Sequence, residues 1–422
     1  MNISIIAIGT ELLIGQVIDT NSGDIATRFA PYGWNVNDIQ VVDDNAFQIT
    51  RAIDRAFESS DVVITTGGLG PTKDDITKAT LCDYFGGEMR EDPSVLENIK
   101  QVFAKRGLTL NDLTSRQAIV PTSCKVIQNT VGTAPIMWFE KEGKVLVAMP
   151  GVPFETREML DSAVIPALLD RFKSNVSIEH RCVLVTGYTE SLLAMTISDW
   201  EESLPDFLHL AYLPKPGLVR LRIDGTHHDK DYLINEIDRR HAELCRILGD
   251  HVLCDRDIPL EKLLLDELRA RDLTISTAES CTGGNIAHML TSIPGCSEMF
   301  NGGVVAYSNP VKESILGVSP KTLEKVGAVS EEVVREMVEG ACKAFNTDCA
   351  IATSGIAGPS GGTEEKPVGT VCIGIKTPDG TVSRRYHFPG SRQRVIERAS
   401  MTALILAIEN LHKIKDNEAD NK

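Results

Sequence analysis

From Met1 to about residue 170, short β-branched runs alternate with stretches whose apolar residues return every three or four positions. That alternation predicts a parallel sheet covered by helices on both faces. Residues 3–8, 36–42, 62–65 and 145–149 read as strands, and 22–30, 46–59, 74–85 and 154–169 as helices. The character changes between residues 171 and 254. Runs at 177–186, 207–213 and 218–223 alternate apolar with polar side chains, as half-exposed antiparallel strands do, and helices are expected at 190–201 and 229–248.

A third segment opens with a helix after Pro259 and a strand at 273–277. Strands follow at 304–307, 349–353, 369–375 and 381–388, with long helices at 330–345 and 392–411. The expected whole is an α/β multidomain chain: an α/β domain over 1–170, a small α+β linker over 171–254, a second α/β domain over 255–414 and a flexible tail over 415–422.

Composition narrows the chemistry. A formal charge of -16 repels phosphodiester backbones and anionic lipid, and no basic patch offsets it, so neither nucleic acid nor membrane is an expected partner. Anionic small molecules must then be held by backbone N–H groups, a few placed cations or a metal. The 10 cysteines are scattered with no Cys-x-x-Cys pair, which suits buried thiols in a reducing compartment. No apolar stretch approaches the ~18 residues of a membrane span, and a cytoplasmic location is expected.

Two glycine-rich stretches carry candidate chemistry. The first, Thr65-Thr66-Gly67-Gly68-Leu69-Gly70-Pro71-Thr72-Lys73-Asp74-Asp75, runs from a strand through a flexible loop toward a helix start, a geometry suited to phosphate. It is also the pattern of a plain tight turn. Asp74 and Asp75 suit a helix N-terminus, and equally offer hard oxygen ligands to Mg²⁺ or Mn²⁺. Glu11, Asp19 and Glu155 lie past the carboxyl ends of other strands, where open α/β sheets bind ligands.

The second stretch, Ala278-Glu279-Ser280-Cys281-Thr282-Gly283-Gly284, exposes a hydroxyl at a strand-to-helix turn with backbone N–H groups nearby. Ser280 or Thr282 could equally be a helix cap. Tyr307 and Lys312 follow a second strand, and a lysine relieved of its proton by burial can serve serine as a base. On a helix start, a lysine is otherwise solvated surface. Cys281 is the competing nucleophile. A third loop, from Ser354-Gly355 to Gly362, is rich enough in glycine to cradle an anion, and Arg394 at the last helix could add charge, although Arg392 and Arg394 each read equally as solvated helix surface.

On these motifs, together with Met149-Pro150-Gly151-Val152-Pro153, the chain resembles the CinA family. Residues 1–170 resemble its molybdopterin-binding, MogA/MoaB-like domain. Residues 259–411 resemble its C-terminal, PncC-type nicotinamide mononucleotide (NMN) deamidase domain. For the C-terminal domain the resemblance implies hydrolysis of NMN to nicotinic acid mononucleotide and ammonia without a cofactor. Its catalytic residues would be Ser280 as nucleophile, Lys312 as base, Tyr307 in support and Arg394 as charge partner. Substrate would be bound by Thr282, Gly283, Gly284, Asn309, Ser354 and Gly355.

For the N-terminal domain the resemblance implies hydrolysis of ADP-ribose to AMP and ribose 5-phosphate. Thr66, Gly67, Gly68, Gly70, Asp75 and Gly151 would bind substrate, and Asp75, Asp19 and Glu155 would hold a divalent cation (Mg²⁺, Mn²⁺ or Co²⁺). The rival reading is a competence-linked adaptor that binds nucleotide or pterin without turnover. The resemblance further implies a KH-like middle domain and a homodimer. The middle segment carries no Gly-x-x-Gly clamp, so RNA binding is not expected of it.

Overall fold

The computed structural model describes residues 1–72, 75–172 and 176–414. Lys73 and Asp74 of the first glycine-rich motif, and the expected tail, lie outside the described residues. The chain forms two compact units, one of Met1–Glu179 with Thr226–Leu233, the other of His180–Gly225 with the chain from Ile234 onward.

In the first unit the strands are β1 (Asn2–Ile8), β2 (Asn35–Val42), β3 (Val62–Thr66), β4 (Met89–Glu91), β5 (Ile119–Pro121), β6 (Lys125–Ile127), β7 (Ile136–Lys141) and β8 (Lys144–Met149). The main sheet runs β2-β1-β3-β8-β7-β6, and β4 pairs separately with β5. Neighbours from β2 to β8 are parallel, while β8-β7 and β7-β6 are antiparallel.

Alternating side chains explain why the parallel strands read as unbroken apolar runs. Ile3, Ile5, Val62 and Ile64 pack on one face with Ile25 and Phe29 of helix Asn21–Phe29. Ile6, Ile8 and Val63 pack on the other with Ile49 and Ile53 of helix Ala46–Ser59. The β7-β8 hairpin was not expected. It closes at Glu142 and Gly143, with φ of 54° and 79°, as a tight two-residue turn demands.

The second unit opens with a sheet of β9 (Ser177–Thr186), β10 (Leu208–Lys215), β11 (Leu218–His227) and β12 (Val252–Cys254), in the order β10-β11-β9-β12, of which residues 180–225 and 252–254 belong to this unit. This sheet packs as part of the second unit. Leu184, Leu218, Leu253 and Cys254 share one apolar cluster with Leu260, Leu264 and Leu268 of helix Leu260–Ala270 and with Ile405 and Leu406 of helix Arg392–Leu411. The outward-facing polar residues suggested independence, but the inward face has its partner in the C-terminal layer.

The catalytic-type motifs sit on β13 (Ile275–Glu279), β14 (Phe300–Val305), β15 (Cys349–Gly355), β16 (Thr370–Thr377) and β17 (Gly380–His387). Their order is β14-β13-β15-β16-β17, with β14, β13 and β15 parallel and the last two added antiparallel. Helix Glu331–Phe345, capped by the Ser330 hydroxyl accepting the Val333 N–H, covers one face through Val334, Met337 and Val338. Helix Arg392–Leu411 covers the other through Val395, Ala399 and Leu404. Among the described residues no helix is long and apolar enough to cross a membrane.

Because Leu218 lies on a hairpin strand yet belongs to the second unit's core, Leu218→Ala is expected to destabilise that unit by about 2–5 kcal/mol. The shift should be visible as a lowered denaturant midpoint. An unchanged midpoint would mean that the hairpin packs on nothing it helps to hold.

Candidate functional site

Both units present their candidate residues at the carboxyl edge of parallel strands, where the chain reverses its direction across the sheet. In the first unit β1 connects outward to β2 while β3 returns on β1's other side, so the loops after β1 and β3 diverge and leave a cleft. This cleft, of about 370 Å³, is lined by Gly9, Asp19, Asn21, Thr66, Gly67, Gly68, Gly70, Asp75 and Gly151, together with Glu11 and Asp44. All six expected N-terminal binding residues therefore converge. Gly67, with φ of 106°, has no room for a Cβ, which would run into the Ile8 carbonyl.

Asn21 ties the cleft together. Its Nδ2 donates to Thr66 Oγ1 at 2.9 Å and to the Gly151 carbonyl at 2.8 Å, while Thr66 Oγ1 donates to the Pro150 carbonyl at 2.8 Å. Asp75 braces the glycine loop from within: its carboxylate accepts the Gly70 N–H at 2.8 Å, the Thr72 N–H at 3.0 Å and the Thr72 hydroxyl.

The three expected metal ligands behave differently. Asp19 lines the cleft but accepts the Ser22 N–H at 3.1 Å, capping the helix start. Glu155 does not line it, and accepts from Asn129 Nδ2 at 2.8 Å instead. Asp44, which went unnoticed, does line it, and burial with the nearby Glu11 carboxylate raises its carboxyl above the ordinary carboxylate range. Its place at the carboxyl end of β2 was the available signal. Among the described residues no three His, Cys, Asp or Glu side chains are arranged to hold a metal ion. These donors do not fit a preformed metal centre.

In the second unit Ser280 follows β13, Tyr307 and Lys312 follow β14, and Ser354 and Gly355 end β15. The shared edge brings them together. Lys312, on helix Asn309–Leu316, is 1% exposed, and its Nζ reaches Ser280 Oγ at 3.2 Å. It also donates to the Ala306 carbonyl at 2.6 Å and the Tyr307 carbonyl at 3.5 Å. Among the described residues no carboxylate pairs with it, so burial pulls its pKa below the ordinary lysine value of 10.5. Burial pushes the Cys281 thiol the opposite way, up to about 12, which removes it as the competing nucleophile at neutral pH.

The turn after Ser280 is held from several sides. Thr282 Oγ1 shares a 2.7 Å hydrogen bond with Thr353 Oγ1, and the Ser280 N–H donates to the Thr353 carbonyl at 2.9 Å. Ser354 Oγ donates to the Ala328 carbonyl at 2.7 Å, so this hydroxyl braces its loop. Gly283 and Gly284 complete the turn, and Asn309 opens the lysine helix with an exposed side chain.

Tyr307 is 60% exposed, its hydroxyl accepts from Arg392 at 3.0 Å, and the same guanidinium donates to the Gly358 carbonyl at 3.0 Å. The expected Arg394 is exposed, and among the described residues its side chain makes no hydrogen bond. Roughly half a helical turn separates the arginine that reaches Tyr307 from one that does not, and sequence alone does not tell them apart.

With this geometry in view, the comparisons are direct. Residues 257–411 match the model "CinA C-terminal domain", and 4–170 match "Probable molybdopterin binding domain". A CinA-like protein of Flavobacterium psychrophilum is 42% identical over 98% of this chain and 99% of its own length.

The chain belongs to the CinA family.

A second CinA-like protein, from Cytophaga hutchinsonii, is 40% identical over 97% of this chain and 98% of its own. Among solved structures, the competence damage-inducible protein A of Klebsiella pneumoniae is 36% identical over 37% of this chain and 97% of its own, with a TM-score of 0.36. The family models cover both candidate sites and leave the middle sheet between them.

If the Asp75 carboxylate is what holds the glycine loop of this CinA chain, Asp75→Ala frees the Gly70 and Thr72 amides. Their hydrogen exchange should then accelerate on the order of ten- to a hundredfold, the equivalent of ~1.5–3 kcal/mol for bonds to a charged group. Unchanged protection at those amides would show the loop to be held by something else.

Proposed function

We propose that the second unit is a serine–lysine amidohydrolase acting on the carboxamide of NMN. The observation that carries this reading is Lys312 Nζ, buried without a counter-ion among the described residues, 3.2 Å from the Ser280 hydroxyl. An ammonium so placed releases its proton more readily than one in water, and the neutral amine can take the serine proton. Ser280 Oγ then attacks the carboxamide carbon.

The oxyanion that forms needs N–H donors. Among the described residues the Cys281 and Thr282 amides donate to no oxygen, and they flank the nucleophile. The lysinium returns its proton to the departing ammonia, leaving an ester on Ser280. Water, deprotonated by the same lysine, hydrolyses this ester to nicotinic acid mononucleotide and restores the hydroxyl. Arg392 and Tyr307 suit the nucleotide's phosphate, and Arg392 is better placed for this than Arg394. Asn309, Thr282, Gly283, Gly284, Ser354 and Gly355 line or brace the same edge.

Purified protein is expected to release ammonia steadily from NMN, and Ser280→Ala to reduce release to background. Lys312→Ala should lose about 10²–10⁴-fold in kcat, the scale of a general base. Since the working form of Lys312 is the neutral amine, kcat/KM should rise with pH and level off above an apparent pKa lying below 10.5. A profile that falls across that range, or a serine variant as fast as wild type, counts against the mechanism.

For the first unit a second reading is favoured by one observation: Asp75, Asp19 and Glu155 are each spent on internal hydrogen bonds rather than gathered on one point. We infer a domain that binds a phosphorylated nucleotide or pterin in the Gly67–Gly70 cleft. No bond-breaking step is derived there, and none is routed through a metal. Calorimetry with ADP-ribose is expected to show binding that weakens in Asp75→Ala. Steady AMP formation in the presence of Mg²⁺, Mn²⁺ or Co²⁺ would overturn the binding-only reading in favour of a hydrolase.

A further inference from the structure

Backbone hydrogen bonds around Ser280 can be accounted for one by one, and the accounting singles out Glu279. This carboxylate precedes the nucleophile and is 1% exposed, yet it makes no ion pair among the described residues. It turns instead into the helix that follows. Oε2 accepts the Gly284 N–H at 3.0 Å and the Ile286 N–H at 3.1 Å, and Oε1 accepts the Ala287 N–H at 2.8 Å. Ser280 N donates to Thr353, Gly283 N to the Ser280 carbonyl and Asn285 N to the Thr282 carbonyl. Of the amides from Ser280 to Ala287, only those of Cys281 and Thr282 are left without an oxygen acceptor.

We propose that Glu279 is a positioning residue, which fixes the turn so that the Cys281 and Thr282 amides alone face the developing oxyanion. This rests on the serine–lysine reading above and extends it to a residue that touches neither substrate nor the reacting atoms. Three N–H bonds onto one carboxylate lock the strand's last residue to the first turn of the helix, and the four residues between have no freedom to drift. Those donors also neutralise the carboxylate locally, so that a negative charge beside the nucleophile does not oppose the oxyanion. The helix start, which by sequence looked like an anion site, is filled by the chain's own carboxylate. The donors for chemistry therefore belong to the turn itself.

Glu279→Gln keeps the size of the side chain but offers an NH₂ where an amide donor requires an acceptor. The full-length variant is assayed for ammonia release from NMN and, independently of substrate, for labelling of Ser280 by a fluorophosphonate. In labelling, the amplitude counts folded sites and the rate reads the turn. We expect kcat per labelled site to fall about ten- to a hundredfold with KM changed less than threefold. The labelling rate should fall in step, while the apparent pKa from Lys312 stays where it is in wild type. Glu279→Asp, which retains the charge on a shorter arm, should lie between the two.

A variant with reduced labelling amplitude but a wild-type rate per site would show Glu279 to be structural only, and would overturn the proposal. So would a rate that is unchanged or faster, as expected if the carboxylate acted merely by its charge. Wild type that labels but releases no ammonia would remove NMN as the substrate and leave the Glu279 test to the labelling rates. Wild type that does neither would overturn both readings.

Discussion

An ammonium group buried at 1% exposure, with no carboxylate among the described residues to meet it, is the constraint around which this edge of the second unit is arranged. Desolvation disfavours the charged form of Lys312, and only the carbonyls of Ala306 and Tyr307 and the Ser280 hydroxyl soften that cost. A carboxylate partner would make the site more comfortable and less useful, because it would hold the proton on the amine. Arginine could not substitute, since a guanidinium does not deprotonate in this range. The fold meets the constraint by placing β14 beside β13, so that the helix after one strand overhangs the turn after the other.

The two units solve a shared electrostatic problem in different ways. With a formal charge of -16, neither can rely on a long-range positive field to gather anions. In the functions proposed, the first unit would rely on its glycine-rich β3 loop, which the Asp75 carboxylate holds through the Gly70 and Thr72 amides. The second would rely on one buried amine and on the guanidinium of Arg392 beside Tyr307. Both place their donors at the point where the strand order reverses, because only there do neighbouring loops part without any element being removed.

Much of this was legible in the sequence. The central strands of the two main sheets, β1, β3 and β8 in the first unit and β15 in the second, read out because burial on both faces demands unbroken apolar runs, and the helix Arg392–Leu411 has the limits its sequence predicts. Ser280, Tyr307 and Lys312 emerged from chemistry at strand ends. What was lost was orientation. Arg392 and Arg394 differ by two positions on a helix, hence by roughly half a turn, and only packing decides which one reaches Tyr307. Glu155 and Asp44 both follow strands, yet Asn129 draws the first away from the cleft. The β7-β8 hairpin is not legible because Ile136–Lys141 carries a single β-branched residue and so lacks the run that marks the other buried strands. That the middle sheet shares its core with the Leu260–Ala270 layer is not legible either, because that layer lies beyond it in the chain.

Cys281 shows how the same local physics separates side chain from backbone. By sequence it was a rival nucleophile, since a thiol near a helix start can be acidified. The helix start, however, is already neutralised by Glu279, and the thiol is 5% exposed in apolar surroundings that push its pKa up to about 12. At neutral pH the thiolate is then a minor species, whereas in the proposed mechanism the serine hydroxyl needs no prior ionisation because Lys312 would take its proton during attack. What remains to Cys281 is its amide. On the proposed mechanism, a residue whose side chain is silenced by burial would still contribute through an N–H that has no oxygen acceptor among the described residues, and the buried carboxylate next to Ser280 would secure the position of that N–H.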